Sequence, residues 1–390
     1  MTLYLSCADS CHGKIVSIVI LLACLVPRTC QHSSDSESDS EDADSLGDNH
    51  CHTSDQGCMS SRSFVRAVMK AIRVTEFGGP EVLKVQTDVP IPQPKASEVL
   101  IKVSAAGINP VDTYIRSGVY AVKPSLPYTP GMDVAGVIQE VGADVKKFQK
   151  GDRVYSMRTS TGAYAEFATV EEKYIGRLGD AITFEQGAGI GVPYYTAYRA
   201  LILRGGARPG ETVLVHGASG GVGSAAVQIA KSRGIRVLGT AGSAEGMEAI
   251  KKNGADVVFN HREEGYIQKI MDATGGEGPD VILEMLANVN LEKDLGMIKL
   301  RGRIVNIGSR GPTEINPRAT MGKECTITGV MLMISGDADW KEMHAAMESG
   351  MSQGWLRPVV GKEFPLEKAA ETHELIMNTK SAQGNIVLKL

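Results

Sequence analysis

The stretch Val213-Leu214-Val215-His216-Gly217-Ala218-Ser219-Gly220-Gly221-Val222-Gly223 decides the fold. An apolar strand over residues 212–216 runs into a glycine-rich turn. The turn opens a helix over 221–232 that carries Val222, Ala226, Ile229 and Ala230 on one face. Glycine permits positive φ in such a turn and lets backbone N–H groups close on a pyrophosphate at the helix N-terminus, where the dipole favours negative charge. Aligned on its last glycine, the motif reads Ala-x-Gly-x-x-Gly, with Ala218 at the first glycine position. Alone the pattern is weak evidence; between a strand and a helix, inside a series of such units, it is strong.

That series is present. Strands at 236–240, 257–259, 281–284 and 303–307 alternate with helices at 244–253, 266–274 and 291–299. Short apolar strands joined by helices predict an α/β fold with a doubly wound parallel sheet, covered on both faces. The second strand ends in Thr240-Ala241-Gly242-Ser243, and no carboxylate appears before Glu245. An NAD site places Asp or Glu here to hold the ribose hydroxyls. Small residues instead leave room for a 2′-phosphate, and His261-Arg262 after the third strand offers positive charge to it. The pattern predicts NADPH.

Upstream the pattern is β. Residues 98–106 alternate, with Val99, Ile101, Val103 and Ala105 on one face and Lys102 and Ser104 on the other. Pro90, Pro92 and Pro94 bar a helix before them. Further strands fall at 131–141 and 151–156, so residues 69–190 form a β-rich domain. Residues 191–334 form the dinucleotide-binding domain. The stretch from about 335 to 390 ends in a strand-like tail at 384–390 and completes the first domain.

Of the 390 residues 43 % are hydrophobic and 5 % aromatic, and 44 are glycine, a balance that suits an α/β enzyme and excludes collagen-like, coiled-coil and polytopic membrane classes. A pI near 6.1 supplies no bulk positive field for nucleic acid or anionic membrane. These averages hide a division. In residues 1–58, Lys14 and Arg28 stand against nine Asp and Glu, a balance of −7, which leaves +3 for the rest of a chain of net charge −4. The acidic, serine-rich run after Ser33 buries too little to offset its ordering entropy, so residues 1–62 read as a disordered leader. The apolar run of twelve residues at 15–26, which includes Ser17, is short for a membrane span. They fit a signal peptide, a weak anchor, or a stretch upstream of a cytoplasmic enzyme that starts at Met59 or Met69. The last is favoured: six of seven cysteines lie in the leader, and Cys325 alone provides no intrachain disulfide framework beyond it. The cluster His50-Cys51-His52 with Cys58 lacks paired metal-ligand spacing.

Four further stretches share a frame with the glycine turn. They are Pro130-Gly131-Met132-Asp133-Val134-Ala135-Gly136, Gly151-Asp152-Arg153-Val154, Gly162-Ala163-Tyr164-Ala165-Glu166 and Ala188-Gly189-Ile190-Gly191-Val192-Pro193-Tyr194-Tyr195-Thr196-Ala197. Together they resemble the medium-chain dehydrogenase/reductase superfamily, in its zinc-free quinone oxidoreductase branch. Phe259-Asn260-His261-Arg262-Glu263, Glu284-Met285-Leu286-Ala287-Asn288-Val289-Asn290-Leu291 and Gly308-Ser309-Arg310-Gly311 resemble its zeta-crystallin-like members, and the likeness spans about residues 69–390. It implies a GroES-like catalytic domain clasping a Rossmann domain, with NADPH and substrate in the cleft. Carried over by position, cofactor contacts fall on Tyr114, Ser219, Gly220, Gly221, Val222, Gly242, His261 and Asn290. They continue on Ile307, Gly308, Ser309, Arg310, Val330, Met331 and Leu332. Many bacterial relatives place a lysine for the 2′-phosphate where this chain has Gly246, which shifts weight onto His261 and Arg310.

Zinc-dependent alcohol dehydrogenases of the superfamily use a Cys, a His and a Glu. Their Cys position falls in Ala106-Gly107-Ile108-Asn109-Pro110 and their Gly-His-Glu on Gly131-Met132-Asp133, so neither ligand is present, and residues 69–324 contain no cysteine. No metal is expected. Without a Lewis acid nothing stabilises an alkoxide, which leaves acceptors that take a hydride or electrons readily. Quinones fit. Asn109 and Tyr114 occupy the segment that lines the cleft in the family; Asn109 is expected to donate to a quinone oxygen, Tyr114 to pack near the nicotinamide, and Tyr120 is a third catalytic candidate. The alternatives are reduction of activated alkenes such as enones or enoyl thioesters, with a tyrosine as proton donor, and a crystallin-like structural role with weak AU-rich RNA binding. A homodimer or homotetramer is implied by the resemblance, with 326–330 as a sheet-extending edge; no stable membrane partner is expected.

Overall fold

The computed structural model describes residues 67–379 and 382–390. The chain divides into two units after Arg62. The expectations for the leader, its apolar run and its His/Cys cluster lie outside the described residues, and all that follows belongs to the second unit.

A short antiparallel pair, β1 (Val68–Arg73) and β2 (Lys84–Pro90), comes first. β3 (Glu98–Ile108) leads into α1 (Pro110–Arg116), which opens on a proline because the first helical N–H has no intrahelical acceptor to lose. β4 (Asp133–Val141), β5 (Arg153–Ser156), β6 (Phe167–Glu171) and β7 (Ile175–Arg177) follow. α2 (Phe184–Gly187) and α3 (Gly191–Tyr198) carry the chain onward. Alternation then sets in: β8 (Thr212–Val215), α4 (Gly221–Ser232), β9 (Arg236–Ala241), α5 (Ala244–Lys252), β10 (Val257–Asn260), α6 (Tyr266–Ala273) and β11 (Val281–Glu284). It continues through α7 (Ala287–Met297), β12 (Arg303–Asn306), α8 (Arg318–Lys323) and β13 (Thr326–Gly329). The chain closes with α9 (Asp337–Gln353), β14 (Val360–Pro365), α10 (Ala369–Asn378) and β15 (Asn385–Lys389).

Six strands form a parallel sheet in the order β10-β9-β8-β11-β12-β13. Strand order reverses between β8 and β11, the place where open sheets bind ligands beyond the carboxyl ends of their strands. Side chains alternate between two cores. Val213, Val215, Val237, Val281, Leu283 and Val305 pack on one face, and Leu214, Leu238, Ile282 and Ile304 on the other. Burial on both faces is why these strands are continuously apolar, and each such side chain contributes roughly 1.5–3 kcal/mol.

The second sheet runs β14-β15-β3-β4-β5-β7, with β6 also paired to β3. On β3, Val99, Ile101, Val103 and Ala105 are buried and Lys102 is exposed, as the alternation predicts. Leu100 and Ala106 are buried too, so the second face is only partly wet. The strand-like tail becomes β15, which pairs antiparallel with β3. Most boundaries fall within two residues of expectation, and one differs by a full turn. The helix predicted at 291–299 is α7, which begins a turn earlier and ends at Met297. Leu286 precedes it without a side-chain cap, and the Ala287 N–H bonds instead to the Gly308 carbonyl at 2.9 Å, a long-range partner that local sequence does not reveal. Among the described residues no helix is long and apolar enough to cross a membrane.

Candidate active site

The glycine turn sits between β8 and α4 at the reversal of strand order. Gly217 has φ +56°, a conformation that side chains resist. A Cβ at Gly223 would meet the Gly217 carbonyl oxygen at 2.4 Å, so only glycine lets the helix approach the turn this closely. Gly220 caps α4 in extended backbone, and Ser219 is buried beside it. The first N–H groups of α4, on Gly221 and Val222 among others, lack intrahelical acceptors and carry the positive end of the helix dipole.

Gly242 follows β9. A Cβ there would lie 2.9 Å from His261 Nε2 and 3.0 Å from Arg262 Nε, so both side chains crowd the spot where an NAD site would hold a carboxylate. Desolvation, then the adjacent Arg262 charge, holds the His261 imidazole below its usual pKa. The positive charge expected of the pair therefore resides on Arg262, with His261 a neutral hydrogen-bonding partner. Gly246 lies in the first turn of α5, its N–H bonded to Ser243 Oγ at 3.1 Å.

The remaining cofactor candidates ring the carboxyl ends of β11, β12 and β13. Asn290 Nδ2 donates to Glu284 Oε1 at 3.2 Å. Ile307, Gly308, Ser309 and Arg310 follow β12; the Arg310 N–H bonds to Asn288 Oδ1 at 2.9 Å and its guanidinium to the Met377 carbonyl at 3.1 Å. Val330, Met331 and Leu332 follow β13. Beneath the turn lies a trio that sequence reasoning missed. His216 Nε2 bonds to Asp294 Oδ1 at 2.9 Å and approaches Glu284 Oε2 at 3.6 Å, all three residues being buried. Burial raises the Glu284 pKa. Among the described residues this is the one cluster with metal-ligand types, and its His216–Asp294 contact is already a hydrogen bond.

A cavity of about 660 Å³ opens against the other sheet, lined by Asp112, Tyr120, Tyr128, Met132, Arg158 and Met331 among others. It brings together two expected site residues, Tyr120 and Met331. Asn109 and Tyr114 do not line it. Tyr114 is half-buried in α1, its carbonyl accepting the N–H of Val119 and Tyr120. Asn109 is buried at the start of α1 and its Nδ2 donates to Asp133 Oδ2 at 2.8 Å. Burial pushes the Asp133 carboxyl up to about 8, although the Val192 N–H and Asn109 both favour its charged form.

Residues 95–180 match the model of the alcohol dehydrogenase GroES-like domain, and residues 221–349 that of the zinc-binding dehydrogenase family. Human (Homo sapiens) quinone oxidoreductase is 54 % identical over 323 residues, which cover 83 % of this chain and 98 % of that protein. The chain belongs to the quinone oxidoreductase branch of the medium-chain dehydrogenase/reductase superfamily. Among solved structures, Escherichia coli quinone oxidoreductase complexed with NADPH superposes with a TM-score of 0.75 at 32 % identity, covering 82 % of this chain and all of that one. An NAD-dependent alcohol dehydrogenase superposes equally well, with a TM-score of 0.76 at 30 % identity over 83 % of this chain.

Fold likeness therefore does not separate quinone oxidoreductases from alcohol dehydrogenases, but the donor set does. Where the zinc enzymes of the superfamily gather thiolate and imidazole, this member of the quinone oxidoreductase branch sets the Asn109 amide against the Asp133 carboxyl, with Met132 lining the cavity beside them. Zinc takes several nitrogen or sulfur donors in tetrahedral array, and an amide, a thioether and a carboxyl that burial tends to neutralise do not fit it.

Proposed function

We propose that this chain is an NADPH-dependent quinone reductase, and the observation that carries the reading is its 54 % identity to human quinone oxidoreductase across nearly all of that protein. The residues present suit the cofactor. The open N–H groups of α4 and the Ser219-Gly220-Gly221-Val222 turn would hold the pyrophosphate, and Gly242, His261 and Arg262 the 2′-phosphate. Asn290, Ile307–Arg310 and Val330–Leu332 would border the nicotinamide half. NADPH, when bound, supplies the hydride. The chain itself has to bind a flat acceptor, shut out water and meet a developing oxyanion. Tyr120, in the cavity wall, is the group assigned to that work; Asn109, its Nδ2 held by Asp133, and Tyr114 do not line the cavity and are not placed to meet the acceptor there.

Reduction of activated alkenes is the second reading, supported by the same Tyr120 position, because a cavity tyrosine suits protonation of a carbanion. Steady-state rates with 1,2-naphthoquinone and with a 2-alkenal, using NADPH and NADH, separate the two. The quinone is expected to win. A preference for the alkenal of about ten-fold or more, some 1.4 kcal/mol in transition-state binding, would reverse the assignment. Tyr120→Phe is expected to slow alkenal turnover more than quinone turnover. The reading places the protein in the cytoplasm as a homodimer or homotetramer, with β13, an edge strand of the sheet among the described residues, extending it between copies; sedimentation velocity reads the assembly.

A further inference from the structure

Three buried side chains stand under the crevice where strand order reverses. His216 follows the last residue of β8, Glu284 ends β11, and Asp294 reaches them from α7. Glu284 and Asp294 are wholly buried and His216 is 3 % exposed. Each grips something above it. Glu284 Oε1 accepts the Leu286 N–H and, at 3.2 Å, Asn290 Nδ2. His216 Nε2 donates to Asp294 Oδ1 at 2.9 Å, and its Nδ1 lies 3.5 Å from Thr240 Oγ1, which accepts the Gly217 N–H at 3.2 Å. One cluster therefore ties the glycine turn after β8 to the loop after β11, on either side of the place where an open sheet binds its ligand.

Donor chemistry fixes the direction of these bonds. A backbone N–H only donates, so Glu284 Oε1 is an acceptor and carries no proton. What Asn290 turns toward it is the NH2 group, and Asn290 Oδ1 is left as an acceptor, in a partly exposed residue, with no donor of the protein meeting it among the described residues. The other two oxygens of the acid pair, Glu284 Oε2 and Asp294 Oδ2, are buried without a partner, and Oε2 lies 3.6 Å from His216 Nε2. Two neighbouring carboxyl groups out of reach of water do not both ionise, so the pair keeps a proton on its Oε2 side and Oε1 stays free to accept. Burial favours that proton as well.

We propose that Glu284 is a positioning residue for the nicotinamide ring: by holding the Asn290 NH2 it aims Asn290 Oδ1 at the carboxamide NH2 of NADPH. The inference rests on the NADPH-dependent reading. Glu284 itself touches neither cofactor nor acceptor. An amide side chain left free turns either end outward, and an NH2 set against the carboxamide NH2 offers it nothing to donate to. Glu284 removes that choice before the cofactor arrives, which spares the cost of ordering the amide on binding and presents the ring in one orientation. His216 and Asp294, joined to Glu284 below, keep the contact in register with the turn that takes the pyrophosphate.

The test compares dissociation constants, read by fluorescence or calorimetry, for NADPH, its reduced acetylpyridine analogue and 2′-phospho-ADP-ribose. The analogue carries a methyl ketone in place of the carboxamide and has no NH2 to donate; 2′-phospho-ADP-ribose has no ring at all. The unaltered chain should bind NADPH about five-fold more tightly than the analogue. Glu284→Ala should bring the two to within about two-fold and leave the Kd of 2′-phospho-ADP-ribose within about two-fold of the parent, a pattern that general loosening of the fold does not produce. Its kcat with 1,2-naphthoquinone should fall about ten-fold. Glu284→Gln keeps the acceptor oxygen and places an NH2 where the shared proton sits, so it should retain the preference. A Glu284→Ala chain with the full preference would overturn the proposal, as would an unaltered chain with none. Should Glu284→Ala not fold, Glu284→Asp decides, since it keeps an acid in the cluster but withdraws it from Asn290 by one methylene: loss of the preference supports the role, and retention refutes it. If the unaltered chain binds no NADPH, the reading beneath has failed and the role of Glu284 falls with it; if it reduces quinone with NADPH and the variants keep the preference, only the role of Glu284 falls.

Discussion

Asp133 is pulled in two directions. The Val192 N–H at 2.7 Å and Asn109 Nδ2 at 2.8 Å favour the carboxylate, while complete burial favours the acid and prevails. Its folded pKa, about 8, lies above the unfolded value of about 3.9, so the native state holds the proton more tightly. The associated stability is fully present below about pH 4 and is lost as pH rises through 8. Denaturant midpoints should therefore fall between pH 5 and 8.5, and Asp133→Asn should flatten that slope; Asp112 adds in the same direction up to its own pKa near 7. At the other end of the site, Arg262→Ala should raise the NADPH Kd about ten-fold or more and leave the NADH Kd unchanged, since it removes a charge-assisted contact to a phosphate that NADH lacks. Isothermal titration with both cofactors reads this directly.

Elements differ in how far local sequence determines them. α4 was legible to the residue because a glycine turn fixes its start and its apolar face fixes its length. The bounds of β11 were equally plain, four apolar-to-acidic residues between turn signals. The start of α7 was not, because its first N–H is held by a carbonyl twenty-one residues away. The site divides the same way. Ser219, Gly220, Gly221 and Gly242 lie in one turn or one strand end and could be read along the chain. Asp112, Tyr164 and His373 come from α1, the loop before β6 and α10, separated by 52 and 209 residues, and only folding brings them together. Gly223→Ala belongs to this scale: its Cβ would strike backbone at 2.4 and 2.6 Å, so the turn must move. We expect a loss of about 1–3 kcal/mol in stability and weakened NADPH binding, measured by thermal melting with and without cofactor.

On the scale of the whole molecule, the two sheets are joined through the end of the chain. β15 lies between β14 and β3, with Val387 and Leu388 wholly buried, and the Gly384 N–H bonds to the Ser219 carbonyl at 2.7 Å, tying the tail to the nucleotide turn. Removing residues 385–390 should therefore yield insoluble protein rather than a weakened enzyme, as fractionation after expression would show. The arrangement also bears on synthesis. While the ribosome is still at work, the part of β3 that pairs with β15, residues 105–108, waits with its hydrogen-bonding edge bare, open to other chains that carry a similar edge. Its native neighbour β15 is translated long after β3 itself, so this sheet cannot be completed until that distant segment has been made.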